Sequence, residues 1–352
     1  MSAAEPYAAP PTDPQARDIR TASLAMNEDL HAALVLGREA VDEFVTASLL
    51  ITGKWAEETV TDILYTRAAP RLRPVPFNRN QEGLIGADWL WWWVEESTGI
   101  CFGMLCQAKN LKRTGTTWSI GYGQSNRTWG AQLPNLLAAA DYFEVPAVYM
   151  LYCGDAAYRR GLSCGGDACD ADDPDASSPC PDCPRMGVSV LSGLAAAYLY
   201  GRDPRAAAAD SFRYATPLED LADPGVWQQR WDINFRSCGL ELQKFLLTPQ
   251  YGAALAAKRI FMQLSSIREM HFAAAAPAPV VPRFDDDLPR AVFPPSSVPQ
   301  DKGHFSVPYF LHVLRGLRTA PPPYVQAALE GGSDAVPRPV ADQLAGLVVI
   351  QV

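Results

Sequence analysis

Residues 86–97 read GADWLWWWVEES and residues 100–111 read ICFGMLCQAKNL. Each is a short run of apolar and aromatic residues, and between them lies a Thr98-Gly99 turn with polar residues on either side. That pattern predicts two antiparallel strands joined as a β-hairpin. The first strand begins on a charged residue, Asp88, and the second ends on Gln107 and Lys109. Residues two apart in a strand point to the same face, so Gln107 and Lys109 project together while Ala108 faces away. If the hairpin pairs in this way, Asp88 sits near the end of the neighbouring strand on the same side. Leu90, Trp92 and Val94 share that side. Trp89, Trp91 and Trp93 form the other, packed beneath a helix. These rings are read as core, the alternative being that one or two of them stack on unpaired bases.

Working outward, residues 27–50 carry apolar side chains at helical spacing (Leu30, Leu34, Leu36, Val41, Phe44, Val45, Leu49), which predicts a helix. Gly53 breaks it, and a second helix is expected from about Trp55 to Arg67. The proline-punctuated segment 68–83 ends this helical opening. Beyond the hairpin and a Gly/Thr-rich loop, AQLPNLLAAADYF reads as a helix with Pro134 in its first turn. VPAVYMLYC reads as a strand buried on both faces. Residues 154–185 are rich in Cys, Asp and Pro. Helices are expected at 191–199 and 240–264, a proline-stiffened linker at 275–302, and a strand-like GLVVIQV at the end.

The chain has 352 residues, 20% of them charged, with a formal net charge of −9. No global basic field marks a non-specific binder of nucleic acid or of an anionic membrane. No apolar run is long enough for a membrane span, and the first residues lack a basic start and a hydrophobic core, so the expectation is a cytoplasmic protein without a membrane partner. Four of the eight cysteines, Cys164, Cys169, Cys180 and Cys183, are spaced C-x4-C-x10-C-x2-C. That spacing is read either as a structural Zn²⁺ site or as free thiols in a loop. Cys101, Cys106, Cys153 and Cys238 are read as core residues. No phosphate-binding G-x-x-x-x-G-K-[ST] loop and no H-E-x-x-H is present.

The chemistry therefore rests on Asp88, Gln107 and Lys109. A carboxylate with an amide oxygen is a donor set for a hard cation, Mg²⁺ or Mn²⁺, and a lysine beside it is placed to assist an attacking water and offset charge on a phosphate. The GAD…QAK pair, following a helix that bears carboxylates, resembles the PD-(D/E)XK superfamily of restriction-endonuclease-like nucleases, in the QxK variant of Mrr-type enzymes. The family order of helix, three-stranded meander, helix and strand fits residues of roughly 50–154.

The resemblance implies an α/β restriction-endonuclease-like core over 28–200, including the 154–185 Cys-rich insertion. It is preceded by a disordered tail (1–20) and followed by a helical extension (201–274), the linker (275–302) and a C-terminal segment (303–352). The first meander strand is expected around Glu82–Gly86 or in RLRPVPF. Asp88 and Gln107 would be the metal ligands and Lys109 the catalytic lysine, with Glu58 as the acid from the preceding helix. Glu57, Asp62, Glu82 and Gln132 are accessory candidates. The implied activity is metal-dependent hydrolysis of DNA, with RNA not excluded, in a setting such as bacterial restriction or anti-phage defence. A homo-oligomer or a partner protein would supply target recognition. Glutamine in place of the usual acid removes one formal charge from the metal site and keeps a second reading open, that of a non-catalytic nucleic-acid-binding or assembly subunit. Lys109, Lys112, Arg113 and Arg127 form a basic rim or a solvated face.

Overall fold

The computed structural model describes residues 14–77, 88–126, 130–160, 183–224, 238–268 and 288–352. The chain opens with two helices, α1 (Pro14–Ile51) and α2 (Glu57–Ala68). Gly53, at φ +67°, makes the break between them. The first helix begins at Pro14, so the expected disordered tail of 1–20 is corrected: its last seven residues are helical. α1 buries Leu30, Leu34, Val41 and Val45 from the predicted set and packs Phe44 partly against the core, whereas Leu36 and Leu49 are exposed. Its Arg38 reaches the buried Glu219 at 2.8 Å.

The body is a mixed α/β fold around a nine-stranded sheet. Its strands are β1 (Leu72–Pro76), β2 (Trp89–Val94), β3 (Cys101–Thr114), β4 (Thr117–Ile120), β5 (Ala147–Tyr152), β6 (Val188–Ser192), β7 (Thr216–Pro217), β8 (Leu317–Arg318) and β9 (Gly346–Gln351). The path across the sheet is β1-β9-β2-β3-β5-β6-β7, with β4 and β8 also paired to β3. The hairpin forms as expected: β2 and β3 are antiparallel, with Trp89 opposite Cys106 and Val94 opposite Cys101. Helix α3 (Gln132–Tyr142) then crosses over, and β5 returns parallel to β3. A parallel neighbour needs such a crossover.

Three expectations change. β1 does not adjoin β2, because β9 lies between them, antiparallel to β1 and parallel to β2. The C-terminal segment therefore supplies an interior strand of the sheet, second from its edge, and is not an appendage to a 28–200 core. The helix expected at 191–199 runs from Gly193 to Arg202 (α4) and is preceded by the buried strand β6. The helix expected at 240–264 is two helices, Leu240–Leu247 and Gly252–Ile267, because Pro249 cannot continue the first.

The aromatic strand is core throughout. Trp91, Trp92 and Trp93 are fully buried, so these three rings do not stack on bases. On one face Tyr65 of α2 meets Trp89 and Trp91, with ring centroids 5.1 and 5.8 Å apart, and Trp91 donates its indole N–H to the Tyr65 hydroxyl. On the other face Trp92 lies across Gly103, directly opposite in register. A Cβ at Gly103 would stand 2.6 Å from that ring and 2.8 Å from Val145. Burying a tryptophan of this kind contributes about 4–6 kcal/mol by area, so the hairpin is a stiff base for whatever its ends carry.

Candidate functional site at the strand edge

β3 outruns β2. The pairing between them ends at Trp89 opposite Cys106, while β3 continues to Thr114. On its other edge β3 stays paired to β5 as far as Asn110 opposite Tyr152. Among the described residues no strand covers the β2-side edge from Gln107 to Asn110, so its backbone N–H groups need other acceptors. Two carboxylates supply them. The N–H of Ala108 donates to Asp88 Oδ2 at 2.7 Å, and the N–H of Asn110 donates to Glu57 Oε1 at 3.0 Å. Amides two residues apart on one edge lie about 6.8 Å apart and point the same way. Asp88 and Glu57 are thus held side by side, one from the head of β2 and one from the first turn of α2.

Gln107 joins them. Its side-chain amide nitrogen donates to Asp88 Oδ2 at 2.8 Å, while its amide oxygen is buried without a hydrogen-bond partner. Lys109 is 4% exposed and donates to the Gln124 side-chain oxygen at 3.1 Å. Burial pushes the Lys109 ammonium below its ordinary pKa. The Glu57 and Asp88 carboxylates oppose that shift, and Lys112 adds to it.

A cleft of about 40 Å³ opens against this edge, lined by Glu57, Glu58, Thr61, Asp62, Asp88 and Ala108 among others. It has room for about three waters. Helix α2 turns its buried face (Thr61, Leu64, Tyr65, Ala68) to the sheet, and Glu57 is one turn before Thr61 on that face. Glu58, the acid expected from the sequence, and Asp62 are exposed and line the cleft from its rim. Glu57 is therefore the helix acid that reaches the strand, a correction that the spacing of the buried positions could have supplied.

Gln132 begins α3, where its backbone N–H donates to the Gln124 carbonyl at 3.0 Å and its own amide oxygen is buried without a partner. Gln124 belongs to no motif visible in the sequence, yet it links Lys109 to the start of α3. Glu82 lies outside the described residues, as do Cys164, Cys169 and Cys180, and Cys183 opens a short 3-10 turn. Cys101, Cys106, Cys153 and Cys238 are buried and form no disulfide among the described residues. Among the described residues no three His, Cys, Asp or Glu side chains converge as a metal cluster, and no helix is long and apolar enough to cross a membrane.

Asp88 and Gln107 thus meet at the end of a rigid hairpin, with Glu57 beside them on the same strand edge. Lys109, two residues beyond Gln107, is held by Gln124, and neither Gln107 nor Lys109 lines the cleft. The oxygens suit a hard cation that keeps several waters, and the ammonium suits an anion beside it. No curated protein and no solved structure matches the sequence. Residues 36–351, from within α1 to the last residue of β9, match a family of unknown function, DUF6615, and the chain belongs to that family.

Proposed function

We propose that the protein is a metal-dependent nuclease that hydrolyses phosphodiester bonds in DNA, built on a restriction-endonuclease-like core. The observation that carries this reading is the placement of Asp88, Gln107 and Glu57 on one unpaired strand edge, with Lys109 two residues beyond Gln107 on the same strand. The order α2, β2–β3 hairpin, α3 and parallel β5 agrees with the resemblance drawn from GAD…QAK. The place of β9 beside β2 is where it departs.

The residues fit Mg²⁺ or Mn²⁺. Gln107 turns its nitrogen to Asp88 because two oxygens cannot face each other without a cation between them. A rotation of the amide would present the buried, partnerless Oε1 beside the Asp88 carboxylate. Asp88, Gln107 and Glu57 would hold the ion, with Glu58 and Asp62 orienting its waters from the rim. Such an ion supplies Lewis-acid polarisation of the phosphate and a more acidic attacking water. Lys109 works beside it. Its lowered pKa increases the share of neutral amine able to take the water's proton, and its charged form offsets negative charge building on the phosphate. Gln124 fixes the amine in place.

The test is cleavage of plasmid and linear DNA with Mg²⁺ or Mn²⁺ by wild type and by Lys109→Met. Metal-dependent nicking that falls at least about a hundredfold in the variant supports the reading. Cleavage that survives the substitution, or that needs no divalent ion, counts against it.

A second reading is favoured by the same bonds. Asp88 Oδ2 already accepts two donors, so the carboxylates also suffice as caps of a strand edge. On that reading the chain is a non-catalytic nucleic-acid-binding or assembly subunit. The cysteine quartet is proposed as a Zn²⁺ site on its spacing alone, and metal analysis of the purified chain tests it.

A further inference from the structure

The strand that carries Lys109 does not stop at the site. β3 runs on to Thr114 and turns back through β4 as a two-stranded arm, with Leu111 opposite Ile120, Lys112 opposite Ser119, and Arg113 opposite Trp118. Residues Lys112 to Thr117 are exposed. Residues 97–140 contain no Asp or Glu at all, in a chain where 39 of 352 residues are acidic. The acid-free stretch holds Lys109, Lys112, Arg113 and Arg127 in a protein whose net charge is −9. Lys109 is buried and Arg127 lies outside the described residues, which leaves Lys112 and Arg113 as the exposed cations of the arm.

The arm is also ordered. The Arg113 guanidinium lies 5.3 Å above the Trp118 ring, and its Nε donates to the Gly115 carbonyl at 3.0 Å. Trp118 packs in turn on Tyr158, with centroids 4.7 Å apart. A cation seated on an aromatic face keeps its charge and loses little further freedom on binding. By strand alternation Arg113 shares the Lys109 face, and Lys112 faces the other way.

We infer that the β3–β4 arm is a contact surface for duplex DNA, in which Lys112 and Arg113 bind backbone phosphates and set the duplex across the Asp88–Lys109 site. This rests on reading that site as one that acts on DNA. A two-stranded ribbon has the shape that the major groove admits. Four residues of strand span about 13.6 Å, the axial rise of about four base pairs. Arg113 thus stands about 13.6 Å along the strand from Lys109, so that one short duplex segment can reach both. Contacts of this kind position the duplex without reading its sequence.

The experiment is fluorescence anisotropy of the full chain with a labelled duplex in EDTA, across a salt series, comparing wild type with Lys112→Ala/Arg113→Ala. Arg113→Ala also removes the stacking on Trp118 and the bond to Gly115, so the melt of the double variant is recorded alongside. Lys112→Ala alone, at an exposed position, repeats the test with an expected slope change of about 1. The expected result is duplex binding about tenfold weaker in the variant, with the slope of log affinity against log salt reduced by about 2, roughly one for each phosphate that the variant leaves unneutralised. Equal affinities and slopes, or no duplex binding by wild type, overturn the inference. Tighter binding of a single-stranded DNA or RNA of the same sequence overturns the assignment to duplex. Cleavage is scored separately with Mg²⁺: a reduced salt slope without any cleavage leaves the arm standing and removes the nuclease reading.

Discussion

The Asp88 carboxylate accepts the Gln107 side-chain amide at 2.8 Å through the same oxygen that takes the Ala108 backbone N–H at 2.7 Å. One oxygen thus ties the head of β2 to two consecutive residues of β3. The bond also fixes which end of the Gln107 amide faces Asp88, and with it how the site answers a cation.

Gln107→Glu places two carboxylates side by side. Without metal the repulsion should lower stability by about 1–3 kcal/mol at neutral pH. Added Mg²⁺ should recover it, so the variant should show a larger Mg²⁺-induced rise in Tm than wild type. Thermal melts with and without Mg²⁺ check this. A variant that melts like wild type and ignores Mg²⁺ would show that the two side chains do not share a cation.

Gln124→Ala removes the acceptor that holds the Lys109 amine. The expected effect is a fall in kcat of about tenfold with Mg²⁺ affinity unchanged, since Gln124 positions Lys109 without touching the ion. A loss of metal affinity would instead place Gln124 among the ligands.

Gly103→Ala forces a methyl against Trp92 and Val145. The cost of such overpacking is about 1–3 kcal/mol, read as a lower denaturant midpoint. An unchanged midpoint would mean that the hairpin is less rigid than its packing implies.

Lys258 is 1% exposed and donates to the Thr248 carbonyl at 2.8 Å. Burial, then Arg259, brings its pKa down from 10.5 to about 7. The folded state therefore sheds a proton at lower pH than the unfolded state does, and stability rises with pH between about 7 and 10.5, at no more than about 1.4 kcal/mol per pH unit. Below about 7 both states are charged and the cost of burial is present in full. Lys258→Met should remove that slope and stabilise the protein most at neutral and acid pH. Chemical denaturation over this range measures it, and a slope unchanged in the variant would assign it to other groups.

Much of this is legible in the sequence where the signal is local. The hairpin, α2, α3 and β5 follow from alternation, helical spacing and punctuation, and Asp88, Gln107 and Lys109 follow from strand parity. β9 is not, because its pairing with Trp89–Val94 joins residues some 250 positions apart and leaves no trace in neighbouring residues. β6 is hidden because VSVLS runs directly into an apolar helix. Glu58 and Glu57 are told apart only when the face of α2 is first fixed from Thr61, Leu64, Tyr65 and Ala68. Gln124 cannot be found in the sequence at all, since only the fold brings it to Lys109.

The claim beneath the rest is that Asp88 and Glu57 hold a cation and are more than caps on a strand edge. Calorimetric titration of Mg²⁺ into the full chain without DNA tests it, with Asp88→Asn and Glu57→Gln as comparisons, since each keeps an oxygen for its backbone N–H. Saturable binding by wild type, weakened at least about tenfold in each variant, is the predicted result. Binding that is absent, or equal in all three proteins, would contradict the account and leave the carboxylates as structural caps.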